Sequence, residues 1–303
     1  MLAAQLVATI IVTWFVAAQA GLTTSRLRGV EIASWPVDWA LFGGSCILLL
    51  VGYFGTGLVW GHIVRGLGGA TLPGATSIRL FMVANLGRYV PGKVWQIAGL
   101  VALSRERGIP ASTATAAAVL GQGIGLASAT LIGLTSLWTI TDESARPWVI
   151  PGVLIGGLAL SLAPPVFHRV VGLWFRLARS TPPEDLLPGR AAGWFLLGLA
   201  NWATYALAFW VMVRSLGFET ELLPTASAFA AAYVLGYLAV FAPAGIGVRE
   251  GFLVALMAPQ LGAGPAGAVA VIARLWTTVV EVVPAAAFWT GHVTRTHAPD
   301  SSP

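Results

Sequence analysis

The sequence predicts an all-α polytopic membrane protein of about six spanning helices and two re-entrant, broken-helix hairpins, set in an inverted repeat. Three observations predict it. The 303 residues are 57% hydrophobic and only 10% charged, with mean hydropathy +0.81, whereas a soluble domain carries about a quarter charged residues. The apolar residues fall in runs long enough to cross a hydrocarbon core, with polar loops between them. The two halves also superpose at a single offset of 152 residues, which places Trp39 on Ala191, Pro91 on Pro243 and Ala111 on Ala263.

In chain order, Leu2–Ala20 reads as a retained first span, because it lacks the basic flank of a signal peptide. Trp39–Val64 is the second, with Gly52, Gly55, Gly57 and Gly61 placed to admit close helix packing. Ser77–Tyr89 reads as an amphipathic helix, broken at Tyr89-Val90-Pro91-Gly92 and resumed over Lys93–Leu103. Ala111–Ile140, Trp148–Phe167, Ala191–Val213 and Pro265–Trp289 are further spans. The first repeat is thus 1–140, with its hairpin at 75–104. The second is 148–290, with its hairpin at 225–262, and 291–303 is a polar tail.

The second break, Phe241–Gly251, carries Pro243, Gly245, Gly247, Arg249 and Glu250 inside an apolar region. A helix restarting near Gly247 turns its unpaired amides and Arg249 toward any anion held there. An ordinary surface loop is the competing reading of the same residues. Glu250, about 100° around the helix from Arg249, is free to reach the partner hairpin near Lys93. In the last span Arg274 and Glu281 are seven residues apart, on one helix face. They read either as a structural ion pair or as the wall of a polar pathway in which Glu281 or Glu250 carries a proton. Arg88 and Lys93 flank the first break at Pro91 and Gly92; they snorkel to lipid phosphates or join the anion site.

Charge sets the orientation. With the N-terminus inside, 11 of the 17 Lys and Arg lie on cytoplasmic segments, five lie outside and Arg274 is within a span. This places both termini in the cytoplasm. The net charge of +5 is scattered between apolar runs, which argues against nucleic acid. Lone Cys46 excludes a disulfide framework, and the four His show no ligand spacing, so neither a metal nor another cofactor is expected. No nucleotide-binding Gly-rich loop and no catalytic constellation is present; the chain does not read as an enzyme.

Leu86-Gly87-Arg88-Tyr89-Val90-Pro91-Gly92-Lys93-Val94-Trp95 resembles the first signature of the lysylphosphatidylglycerol synthase transmembrane-domain family, also called flippase-like. Ala242–Gly251 resembles its second signature, and Arg274 falls where the family usually has an Arg in the last span. Where the family often carries a Glu-Arg pair in the span after the first hairpin, this chain has Gly121-Gln122. The resemblance implies a cell (inner) membrane protein that holds a lipid or lipid-linked substrate and moves it between leaflets. The soluble aminoacyl-transferase domain of some members is not expected here, so neither is synthesis of the lipid.

The residues then suggest a translocator for an anionic phospholipid or lipid-linked glycan, with membrane lipids as partners. The headgroup site would draw on Arg88, Lys93, Gly245, Gly247, Arg249, Glu250, Arg274 and Glu281. Two alternatives stay open: an accessory subunit presenting a lipid carrier to a glycosyltransferase partner, and a small-solute secondary transporter.

Overall fold

The computed structural model describes residues 34–89, 95–135, 188–239 and 247–296, together with Gly245 and a few single positions between 152 and 176. The expected span Leu2–Ala20 and, apart from Gly152, the expected span Trp148–Phe167 lie outside them, as do Pro91, Gly92, Lys93 and Pro243. Among the described residues every element is helical: α1 (Trp39–Gly66), α2 (Gly74–Asn85), a 3-10 turn (Leu86–Tyr89), α3 (Trp95–Arg105), α4 (Ala111–Leu134), α5 (Pro188–Ser215), α6 (Leu222–Leu238), α7 (Val248–Leu261) and α8 (Ala263–Thr296).

Four of these are long and apolar enough to cross a membrane: α1, α4, α5 from Gly189, and α8 as far as Trp289. Their apolar surface faces outward as well as inward. On α8, Val271, Leu275, Val279 and Val283 are exposed at a spacing of one turn, while Ala270, Ala273, Thr277 and Glu281 are buried behind them. An outward apolar stripe of this length is unfavourable against water and suits lipid. The chain is an integral membrane protein.

Asp38 starts α1 by accepting the amides of Ala40 and Leu41 at 2.9 and 3.0 Å. The glycines of α1 then let two neighbours approach, as the sequence anticipates. A Cβ on Gly52 or Gly55 would meet Tyr205 or Asn201 of α5, and one on Gly57 or Gly61 would meet Ile78 or Ser77 of α2. Helices α1 and α5 run antiparallel. The Asp38 amide donates to Ser215 O at one end (2.8 Å), and Arg190 donates to Gly66 O at the other (3.0 Å). Asn201 bonds Thr56 between them at 2.9 Å, a polar link of the kind that holds helices together in lipid.

Helices α2 and α3 form a hairpin whose arms lie side by side, with Gly87 against Trp95–Gln96 and Ala84 against Gly99. At 12 and 11 residues they reach about 18 Å and 16 Å, short of a hydrocarbon core of about 30 Å. Helix α2 starts at Gly74, earlier than the expected Ser77, because Pro73 offers its carbonyl to the amides of Thr76 and Ser77. It tightens into 3-10 geometry at Leu86, ahead of Pro91, which disfavours α conformation in the residue before it. Helices α6 and α7 form the second hairpin, with Gly236 against Arg249 and Thr225 bonded to Gln260. Gly262, at φ 81°, turns the chain from α7 into α8.

The packing between halves is reciprocal. The hairpin helix α2 lies against α8, and the hairpin helix α6 lies against α4. Helices α4 and α8, which start at Ala111 and Ala263, stand at the offset read from the sequence.

Candidate functional site

Helix α8 brings Glu281 into the interior, where it is 1% exposed. A carboxylate so placed is costly unless neighbouring donors meet it. The end of the first hairpin supplies them. Asn85 Nδ2 donates to Oε1, Arg88 Nη1 to Oε2 at 3.4 Å and Tyr89 Oη to Oε2 at 2.8 Å. Asn85 ends α2 and the 3-10 turn carrying Arg88 and Tyr89 follows it directly, so one short stretch delivers all three. Arg88 Nη2 also donates to Asn85 Oδ1 at 3.0 Å.

From Asn85 a row of carboxamides leads away. Gln96 of α3 donates to Asn85 Oδ1 at 2.5 Å, and Gln122 of α4 donates to Gln96 Oε1 at 3.1 Å. Gln122 stands where a charged pair was expected by family resemblance; here it makes a neutral cross-helix bond.

A second charge centre sits at the start of α7. Gly247, at φ 82°, caps the helix. Its amide donates to Glu250 Oε2 at 2.6 Å, and Arg274 Nη1 reaches Glu250 Oε1 at 3.4 Å. Two expectations change. Glu250 turns back onto its own helix start and α8 and bonds no described residue of the first hairpin, because N3 is the position from which a Glu meets the cap amide. Arg274 and Glu281 share a helix but not a bond: each pairs with a different hairpin.

Arg249 has neither arrangement. Its guanidinium lies 4.9 Å from the Phe229 ring centroid and 5.7 Å from that of Tyr233. Among the described residues it makes no ion pair and no hydrogen bond. Two adjoining cavities meet at this group, sharing Tyr53, Arg88, Gln96, Gln122, Tyr233 and Arg249 in their walls. Arg274, Glu281 and Gly245 border the second. The structure therefore brings Arg88, Gly245, Arg249, Arg274 and Glu281 to one interior space, with Gly247 and Glu250 fixing the helix start beside it.

Sequence reasoning did not single out Asn85, Gln96, Trp60 or Gly236. The first two carry a readable signal, since each is an amide flanking the break at Pro91 within otherwise apolar helix. Gly236 has none: it matters because a Cβ there would lie 2.7 Å from Arg249 Cβ.

The family model for the lysylphosphatidylglycerol synthase TM region matches residues 2–285. No curated protein and no solved structure matches the chain. With that match running through both hairpins and all four long apolar helices, the chain belongs to the lysylphosphatidylglycerol synthase TM region family.

Proposed function

We propose that the protein is a flippase-like translocator which binds the anionic headgroup of a phospholipid or lipid-linked glycan in the central cavity and passes it between leaflets of the cell membrane. One observation carries the reading: Arg249 faces both cavities without a carboxylate partner among the described residues. An Arg inside a membrane bundle is costly unless it meets an anion, and its planar fork suits phosphate. The buried carboxylate of Glu281 and the half-buried one of Glu250 are already engaged by cations. That argues against acid–base catalysis and leaves substrate as the natural partner for Arg249.

The reciprocal packing, the antiparallel α1 and α5 and the shared offset favour an inverted repeat with two re-entrant hairpins. In this reading the hairpins supply alternating gates.

Lipid co-purified per protein in mild detergent tests the site. Arg249→Ala is expected to lose nearly all anionic lipid, and Arg249→Lys part of it, since Lys keeps the charge without the fork. Unchanged occupancy in Arg249→Ala would remove this site.

Orientation has its own test, in a Cys46→Ser background. Ala70 follows α1 and Glu221 follows α5, so they lie at opposite ends of the antiparallel pair. With both termini cytoplasmic, Glu221→Cys is expected to react with an impermeant thiol reagent added to intact cells and Ala70→Cys to be protected. The reverse pattern would invert the topology.

A further inference from the structure

The two hairpins are tied to the bundle by unequal bonds. In each half the returning arm meets the span that follows it. Gln122 of α4 donates to Gln96 of α3 at 3.1 Å, and Arg274 of α8 donates to Glu250 of α7 at 3.4 Å. At the offset of 152 residues Gln122 falls on Arg274, so the two ties stand at matching positions. They differ in kind. The first joins neutral amides, and the second joins opposite charges.

The ionic tie is easily exchanged. It is longer than a tight charge-assisted bond of about 2.7–2.9 Å. Its side chains are 21% and 22% exposed, a setting in which an ion pair contributes little. Glu250 is not stranded without Arg274, because its other oxygen keeps the Gly247 amide at 2.6 Å, at the positive end of α7. Glu281 is placed differently. It is 1% exposed and takes Asn85 and Tyr89 as well as Arg88, so no single exchange releases the first hairpin.

Arg274 also borders the second cavity beside Arg249, and Glu250 does not. An anion seated on Arg249 therefore presents Arg274 with a second negative charge, in a space where charges are poorly screened. Arg88 borders the same cavity but is engaged by Glu281 and Asn85.

We infer that the anion and Glu250 compete for Arg274, so that loading the site unties the start of α7 from α8 while the first hairpin stays locked. This rests on the proposed anion site at Arg249 and adds regulation to it: the ligand itself releases the second hairpin. Competition is reciprocal, so removing the Glu250 charge must tighten the anion.

Hydrogen exchange of the full chain in mild detergent, read by mass spectrometry, tests this at two segments. One is 251–254, where the first bonded amides of α7 lie, and the other is the 3-10 turn Leu86–Tyr89. The probe is dioctanoyl phosphatidic acid, with dioctanoylglycerol as the same lipid without its phosphate. Phosphatidic acid is expected to speed exchange of the α7 amides roughly two- to fivefold, the contribution of one partly exposed ion pair to local opening. The 3-10 turn should not change, and dioctanoylglycerol should affect neither segment. Glu250→Gln keeps an oxygen for the Gly247 amide but not the charge. It should show the faster α7 exchange without lipid, and bind phosphatidic acid roughly two- to fivefold more tightly than the wild type.

Unchanged or slower α7 exchange in wild-type protein saturated with phosphatidic acid overturns the inference, as does equal or weaker binding by Glu250→Gln. Either result leaves the anion site standing if Arg249→Ala still loses phosphatidic acid. Retention of phosphatidic acid by Arg249→Ala overturns the anion site instead. The wild-type comparison decides the matter even if Glu250→Gln fails to fold.

Discussion

Glu281→Leu is expected to destabilise the protein by up to about 3 kcal/mol, the low end of the cost of breaking a buried ion pair from one side, because the stranded Arg88 is half-buried. Glu281 receives Asn85, Arg88 and Tyr89 at once and is itself 1% exposed. Its removal leaves Arg88, among the described residues, with only Asn85 as a hydrogen-bond partner in the hairpin turn. The loss should therefore be partly recovered by a second change, Arg88→Met in the Glu281→Leu background, which removes the stranded charge. Glu281→Gln should fall between wild type and Glu281→Leu, because it keeps an acceptor for Asn85 and Tyr89. Thermal unfolding in mild detergent, followed by tryptophan fluorescence, ranks the four proteins. A Glu281→Leu midpoint equal to wild type would mean that this network does not hold the first hairpin to α8.

The second large effect lies at Gly245. Its φ of 68° belongs to the left-handed region, and a Cβ there would come 2.9 Å from the Gly236 carbonyl oxygen. Gly245→Ala then meets two costs. The backbone conformation costs roughly 1–2 kcal/mol in a non-glycine residue, and overpacking against fixed backbone adds roughly 1–3 kcal/mol. Gly68→Ala separates them, since Gly68 has φ 79° but nothing within 4 Å of its added Cβ. It should show the backbone cost alone. A fall of about 3 kcal/mol or more for Gly245→Ala, against about 1 kcal/mol for Gly68→Ala, is the expected result. Equal effects would mean that the second hairpin has room to open at Gly236.

The sequence and the structure agree most closely where period and composition decide. The apolar runs mark α1, α4, α5 and α8 within a few residues at each defined end, because a lipid-facing helix must be apolar over its whole length. The glycines of α1 predict close packing for the same local reason. Which hairpin helices meet was less accessible. Arg274 and Glu281 share a face by spacing alone, but spacing on one helix does not name the partner across the bundle. Those partners lie 24 and 193 residues away in the chain. Asn85 escaped notice because a single amide in an apolar stretch looks the same whether it bonds a neighbouring helix or a buried carboxylate. Arg249 was legible as a candidate from its neighbours Gly245 and Gly247. Its lack of a counter-ion among the described residues was not, since Glu250 adjoins it in sequence and turns away only once the helix start is built.

The carboxamide row from Gln122 through Gln96 and Asn85 to Glu281 has a consequence for what can travel along it. An amide nitrogen gives up no proton near neutral pH, and each of these groups points its N–H toward the carboxylate. The line is an insulator for protons, unlike a chain of waters or hydroxyls. What it fixes is orientation: Gln122 aligns Gln96, Gln96 aligns Asn85, and Asn85 meets the carboxylate that also holds Arg88. The row ties α4 to the first hairpin and the hairpin to α8 without offering protons a path along it.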